Sequence, residues 1–468
     1  MHLIPTDPSH FHLLVSVFPS VGLLFALCLF TAAIVAKNAL MQRISFFVFG
    51  GLAVLGVPTY LSGMGSMKGL PARPTVSIDA LNYHYPWSFA AFAALGITGA
   101  LALWSLWKSW KLERPTQNSL HQVLGFGLFT AVLMIIVGEQ GWEIAHRELF
   151  LTFNYDLTSA IWSHIHIILN HFPTVGFVFG LFFYAAGLLR KSDLMLRSGL
   201  VLFVACAVLA ATTYVTGTAA MLSLIDYEQP GISLVRINQH RDFAIYSLIG
   251  LAFTGGLSWF EIWRYRYLGR FSKVSLYTVL GFAIVTFFVL AETGHLGGQI
   301  NHPEIRELGE KLPTDAAAFL GAKVELAINT IIWFVPWQTV HFFGYTLVFA
   351  TVLAVSLRIW GVWKGMSFSA VHRLLPLGAF GVLFNIFSGM LMVMADSHRY
   401  LNELAFWPKM FFLPIGAIAV LYFSLSDKLW ATKAGDDAPM LAKWVAVLVF
   451  VSWTVVIMGG RLLPYLLL

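Results

Sequence analysis

Residues 164–181 read HIHIILNHFPTVGFVFGL, and residues 10–27 read HFHLLVSVFPSVGLLFAL. Eight of these eighteen positions are identical at an offset of 154, more than two unrelated apolar segments would share. Neither run contains an acidic residue, a lysine or an arginine. Continued over roughly 20 residues, an apolar segment of this kind crosses the hydrocarbon of a bilayer as a helix. A membrane helix therefore occurs twice in this chain, and the surrounding sequence can be aligned on that pair.

The alignment continues outward. Thr59, Tyr60 and Gly63 match Thr213, Tyr214 and Gly217 at the same offset. His84, in YHYPWSFAA, matches His240, in QHRDFAIYS, two residues out of register. Glu139 and Glu292 close the fourth helix of each copy. Residues 1–150 and 151–310 thus read as two copies of one four-helix module. Four is even, so both copies run in the same orientation, unlike the inverted repeats of many secondary transporters. Residues 311–468 hold a third four-helix unit that does not match the first two. A polar stretch, 299–329, precedes it and is predicted to lie outside the membrane.

Hydropathy predicts spans near 13–36, 44–64, 85–107, 121–138, 165–189, 197–221, 241–263, 275–292, 330–357, 370–395, 406–425 and 441–460. Backbone groups in lipid must be paired internally, so segments this long are helices. The predicted class is all-α: a polytopic integral membrane protein of about twelve transmembrane helices in three four-helix bundles. Composition agrees. Of 468 residues, 58% are hydrophobic and 11% charged, against about 25% charged in soluble domains, and mean hydropathy is +0.76. Length alone suggests two to four domains. Sixteen Trp and forty Phe suit lipid-facing and interfacial positions.

The net charge is +6, but the basic residues come in small groups between apolar stretches and give no nucleic-acid-binding block. Loops after odd-numbered helices hold 18 of the 29 Lys and Arg, including Lys108, Arg190, Arg264, Arg358 and Lys433. The positive-inside rule puts those loops in the cytoplasm and both termini in the periplasm of a bacterial inner membrane. The first apolar segment lacks a basic leader and is read as retained. Cys28 and Cys206 give neither a disulfide framework nor a C-x-x-C-H haem attachment motif, and are predicted as small core residues.

In this topology His121 and His372 fall on the cytoplasmic side, and the other thirteen histidines fall at or beyond the outer ends of helices. His12 and His166 open the first helix of their copies; His84 and His240 open the third. First and third helices are parallel, so each pair lies at one depth. Two imidazoles facing each other across a bundle are the usual axial set for haem b. Gly22, Gly63 and Gly96, and Gly176, Gly217 and Gly250, offer room for close approach. The iron ligands predicted are His12, His84, His166 and His240.

The second copy has more. His171 stands about 140° around the helix from His166, and His295 and His302 follow the eighth span, so His171 with His295 forms a further candidate pair. The first copy has Val17 and Trp142 there and should lack it. His341 and His398 are a weaker pair in the third unit. Glu139 and Glu292 read either as proton acceptors for a quinol or as solvated helix ends. Pro19 and Pro173, in the first turns of their helices, either pack or shape a cofactor slot. The competing reading of the histidines is hydrogen bonding to headgroups and loop backbone.

HIILNHFP at 166–173 resembles the opening helix of a family of four-helix bacterial membrane domains of unknown function, in which H-x4-H-F-P is typical. Thr213, Gly217, His240 and the segment Gly294, His295, Leu296 continue that likeness over 160–305, and residues 8–150 follow it less closely. The third unit is similar to copper-resistance D-type membrane domains, through His341, Pro376, Gly389, Asp396, Tyr400, Asn402, Phe406 and Lys409. Both resemblances imply histidine-bearing membrane bundles without an assigned chemistry.

The function expected is that of a membrane electron-transfer subunit: a b-type cytochrome with one to three haem b groups near the periplasmic face. It would exchange electrons between quinol and a periplasmic cytochrome c or peripheral redox subunit, as part of a quinol-linked oxidoreductase. Two alternatives stand beside it. One is a transition-metal or proton-coupled transporter, since imidazole suits copper and zinc. The other is a non-catalytic membrane anchor of a complex.

Overall fold

The structure, a computed structural model, describes residues 8–67, 78–110, 112, 114–145, 157–226, 232–301 and 319–463. All regular structure among these residues is helical. Twelve helices are long and apolar enough to cross a membrane, and the chain is a multi-pass integral membrane protein. They are α1 (Pro8–Val35), α2 (Ala39–Ser66), α3 (Ile78–Ser109), α4 (Gln117–Ala145), α5 (Leu157–Arg190), α6 (Asp193–Asp226), α7 (Leu234–Leu268), α8 (Lys273–Asn301), α9 (Ile331–Trp360), α10 (Leu375–Ala395), α11 (Phe406–Leu425) and α12 (Met440–Leu462).

Most run one or two turns beyond the predicted spans. Hydropathy detects only the stretch that lies in hydrocarbon, whereas helical hydrogen bonding continues into the headgroup region. Two expectations change as a result. His295 lies inside α8 rather than after it, and Pro19 and Pro173 lie in the interiors of α1 and α5 rather than in their first turns. Cys206 is buried as predicted, but Cys28 is exposed on the outside of α1, where lipid replaces a protein neighbour. His302 and the side chain of Trp142 lie outside the described residues, as does the polar stretch from 302 to 318.

The described residues form two compact units. The first holds α1 to α4, the start of α5 to Ile161 and the end of α8 from His295; the second holds α5 from Trp162, α6, α7, the rest of α8 and α9 to α12. In the first unit α1 packs on α2 and α4, α2 on α3, and α3 on α4, closing a circuit of four. In the second, α6 packs on α7, and Tyr184 Oη of α5 donates to the Leu276 carbonyl of α8 at 2.9 Å. There α9 packs on α10 and α12, α11 on α12, and α6 on α11.

Packing repeats along with sequence. Thr98 and Thr130 join α3 to α4 through their hydroxyls at 2.8 Å; Thr254 and Thr286 join α7 to α8 at 3.2 Å. A Cβ on Gly99 would lie 2.3 Å from that of Ala53, and one on Gly255 would lie 2.4 Å from that of Ala207. Small residues at such crossings let helix backbones approach, which is how helices associate where lipid removes the hydrophobic drive.

The end of the second unit opposite His166 and His240 is held by basic side chains. Arg358, 1% exposed, donates to the carbonyls of Met366, Lys433 and Asp436. Arg266 reaches the carbonyls of Ser424 and Leu425 and the carboxylate of Asp427. His372 is buried at this end beside Tyr267 and Trp430, with its Nδ1 3.1 Å from Tyr267 Oη.

Candidate functional site

In the second unit α5 and α6 run antiparallel, and His166 of α5 lies flat against α6 at Gly217. A Cβ on Gly217 would sit 2.7 Å from His166 Cε1, closer than real contacts allow. Only glycine admits the ring there. His166 Nδ1 is 3.1 Å from the Thr213 carbonyl and 3.5 Å from Thr216 Oγ1. A carbonyl can only accept, so Nδ1 carries the proton and Nε2 keeps its lone pair.

His240, on α7, is anchored in the same way. Its Nδ1 donates to the Thr293 carbonyl of α8 at 2.8 Å. The two imidazoles meet with ring centroids 6.2 Å apart and planes at 78°. Two imidazoles on opposite sides of one metal ion, with bonds of roughly 2 Å, have ring centres about 6 Å apart. Fixing Nδ1–H on a carbonyl is the usual way a protein sets the tautomer of a metal-binding histidine.

The first unit repeats half of this arrangement closely. His12 Nδ1 lies 2.9 Å from the Thr59 carbonyl and 3.3 Å from Ser62 Oγ, and a Cβ on Gly63 would be 3.0 Å from its Cε1. His84 rests against Gly141, where a Cβ would be 3.2 Å from Cε1. Its Nδ1 is buried, with the backbone of Val137 on α4 beside the ring.

The remaining predicted residues have separate surroundings. His171 Nδ1 bonds to the Ile167 carbonyl one turn back. His295 is buried in the first unit, stacked on His10 with centroids 5.1 Å apart and planes at 26°, and its Nε2 is 2.9 Å from Gln299 Nε2. His10 was not singled out from sequence, although the signal was there: it aligns with His164 in the repeat. Glu139 is exposed. Glu292 is half-buried, and its Oε2 has no hydrogen-bond partner among the described residues. His398 is exposed on the short helix Ser397–Asn402.

His341 repeats the packing of His12 and His166 in the last four long helices. Its Nδ1 is 3.0 Å from Ser388 Oγ, and a Cβ on Gly389 would be 3.0 Å from its Cε1. The partner facing it is Lys409 of α11, whose Nζ is 3.3 Å from His341 Nε2. A lysine of α11 thus faces His341, where His240 of α7 faces His166.

A short helix, Leu320–Ile328, docks beside His240. Asp242 accepts hydrogen bonds from the Leu320 and Gly321 amides at 2.8 and 2.7 Å, which caps that helix from a distant element. Arg241 pairs with Glu325 at 3.2 Å. Among the described residues no group of three or more His, Cys, Asp or Glu is arranged to hold a metal ion.

Residues 163–302 are similar to a family described as a predicted membrane protein (DUF2231). This is the stretch that contains both His166 and His240, and it agrees with a resemblance to membrane domains of unknown function. No curated protein and no solved structure matches the chain.

Proposed function

We propose that this protein is a membrane electron-transfer subunit, a b-type cytochrome in which His166 and His240 would hold one haem and His12 and His84 a second. The observation that carries the reading is the meeting of His166 and His240 at 6.2 Å, each with Nδ1 tied to a backbone carbonyl and Nε2 directed away from that anchor. A haem would ask the protein for two nitrogen ligands. Isolated zinc or copper takes three or four protein ligands, so a pair of imidazoles suits haem better than a bare ion.

The bound haem would supply one-electron transfer. The chain's own part is to hold each imidazole in a single tautomer and orientation. Gly217 and Gly63 let the ligand rings lie on the neighbouring helix, and the Thr213, Thr59 and Thr293 carbonyls fix their rotation. The surrounding apolar helices exclude water, which favours the less charged state of a redox centre.

In this reading residues 1–150, 151–310 and 311–468 are three four-helix modules, the histidine-rich ends face the periplasm, and the basic end holding Arg266 and Arg358 faces the cytoplasm. Quinol supplies electrons, and a periplasmic cytochrome c or peripheral subunit takes them. The test is the reduced-minus-oxidised absorbance spectrum of the purified protein. A b-type α-band that falls in both His166→Ala and His240→Ala supports the proposal; a spectrum indifferent to both substitutions refutes it.

A further inference from the structure

Lys409 is 8% exposed and His341 5% exposed, both deep among α6, α9, α10 and α11. The ammonium gives one hydrogen bond, to His341 Nε2, and lies 5.4 Å from the centre of the Tyr345 ring. Among the described residues no carboxylate pairs with it. His341 passes its own proton on: Nδ1 donates to Ser388 Oγ, which donates to the Phe384 carbonyl. Both imidazole nitrogens are therefore engaged, while the ammonium retains unused donors. Two further buried polar atoms, Tyr345 Oη and Asn385 Oδ1, have no hydrogen-bond partner among the described residues.

These groups line a partly open cleft whose empty space, counted to its mouth, is about 390 Å³; the room it offers a water-sized molecule is about 30 Å³, so a larger guest enters as the flexible Met390 and Met410 side chains give way. Its walls include Ile386, Met390, Phe406, Met410 and Leu413. Thioethers and an aromatic ring suit a flat, polarisable guest. Tyr400 also lines the pocket, and burial pushes its phenol up to about 12, so it remains a donor at neutral pH.

We infer that this pocket binds the head group of a quinone-class redox lipid, with the Lys409 ammonium donating to one ring oxygen; the inference rests on the electron-transfer reading above. A buried ammonium without a counter-charge is costly unless an electron-rich oxygen meets it. A metal cation is disfavoured by the same ammonium, although Met390 and Met410 are soft donors. Anionic lipid headgroups are recognised by clusters of basic residues, and here there is one. The position also fits. Trp162 of α5 stacks on Trp407 of α11 with centroids 3.6 Å apart. Trp162 is one turn before His166, and Trp407 is two residues before Lys409, so the pocket adjoins the element that carries the proposed haem ligand.

The test uses the full chain in neutral phosphatidylcholine nanodiscs and the fluorescent quinone mimic 2-heptyl-4-hydroxyquinoline N-oxide. Saturable quenching is expected, displaced by decylubiquinone and not by laurate. Lys409→Met should weaken it about tenfold or more, the loss of one hydrogen bond to a charged group. If that variant does not accumulate, Met410→Trp, which fills the pocket and leaves the ammonium in place, must give the same loss. The absorbance spectrum of the same preparation keeps the two readings separable: saturable quenching in protein without haem retains this inference and sinks the haem reading, and haem without saturable quenching does the reverse. Absence of saturable quenching, unchanged affinity in the pocket variants, or displacement by laurate or cuprous ion instead of decylubiquinone would overturn it.

Discussion

The Cε1 atom of His166 occupies the space where Gly217 would carry a side chain, 2.7 Å from the position of a Cβ. The ring's hydrogen bond to Thr213, one turn earlier on the same helix, depends on that contact. Gly217→Ala should therefore displace His166, costing about 1–3 kcal/mol of stability as overpacking does and lowering haem content. Gly281→Ala, at a lipid-exposed position with nothing within 4 Å of an added Cβ, is the control and should retain wild-type content. The check is the haem-to-protein ratio after purification.

The planes of His166 and His240 stand at 78°. Near-perpendicular axial imidazoles give a strongly axial low-spin ferric signal, whereas parallel ones give a rhombic signal. Low-temperature electron paramagnetic resonance of the oxidised protein should show the axial form. His84→Ala should leave that signal in place, since His84 belongs to the other unit.

The two units should titrate independently. His240→Ala and His84→Ala are each expected to remove about half of the b-type absorbance, and the double variant nearly all of it. A redox titration of each single variant should then reduce to one midpoint. Two midpoints persisting in His84→Ala would place the second haem elsewhere, for instance on His10 and His295.

Asp242 caps the helix Leu320–Ile328 with both carboxylate oxygens. Asp242→Ala should release that helix at about 1 kcal/mol, the usual worth of an N-cap. Hydrogen exchange at the Leu320 and Gly321 amides reports it directly, and both should exchange faster in the variant.

Orientation is open to a simple assay. Ala434→Cys, in the basic loop after α11, should resist an impermeant maleimide added from outside in a Cys28→Ala, Cys206→Ala background. Labelling from outside would invert the assignment.

Sequence made the membrane class and the repeat plain because both rest on long-range composition and spacing. The His12 and His166 positions were legible for the same reason: each lies 47 residues before the threonine that anchors it. Lys409 was missed as the partner of His341, because a lysine near a span end reads as an ordinary interfacial charge. The threonine pairs Thr98–Thr130 and Thr254–Thr286 were missed because hydroxyls carry little hydropathy signal. His10 against His295 joins residues almost three hundred positions apart, and no local pattern marks such a contact.

The most direct test of the central claim is a pyridine haemochrome assay on the purified full-length protein, with protein quantified by amino-acid analysis. Haem b at one to two per chain, falling in His166→Ala and His240→Ala, is the predicted result. A folded, monodisperse preparation from haem-replete cells that contains no haem would contradict it.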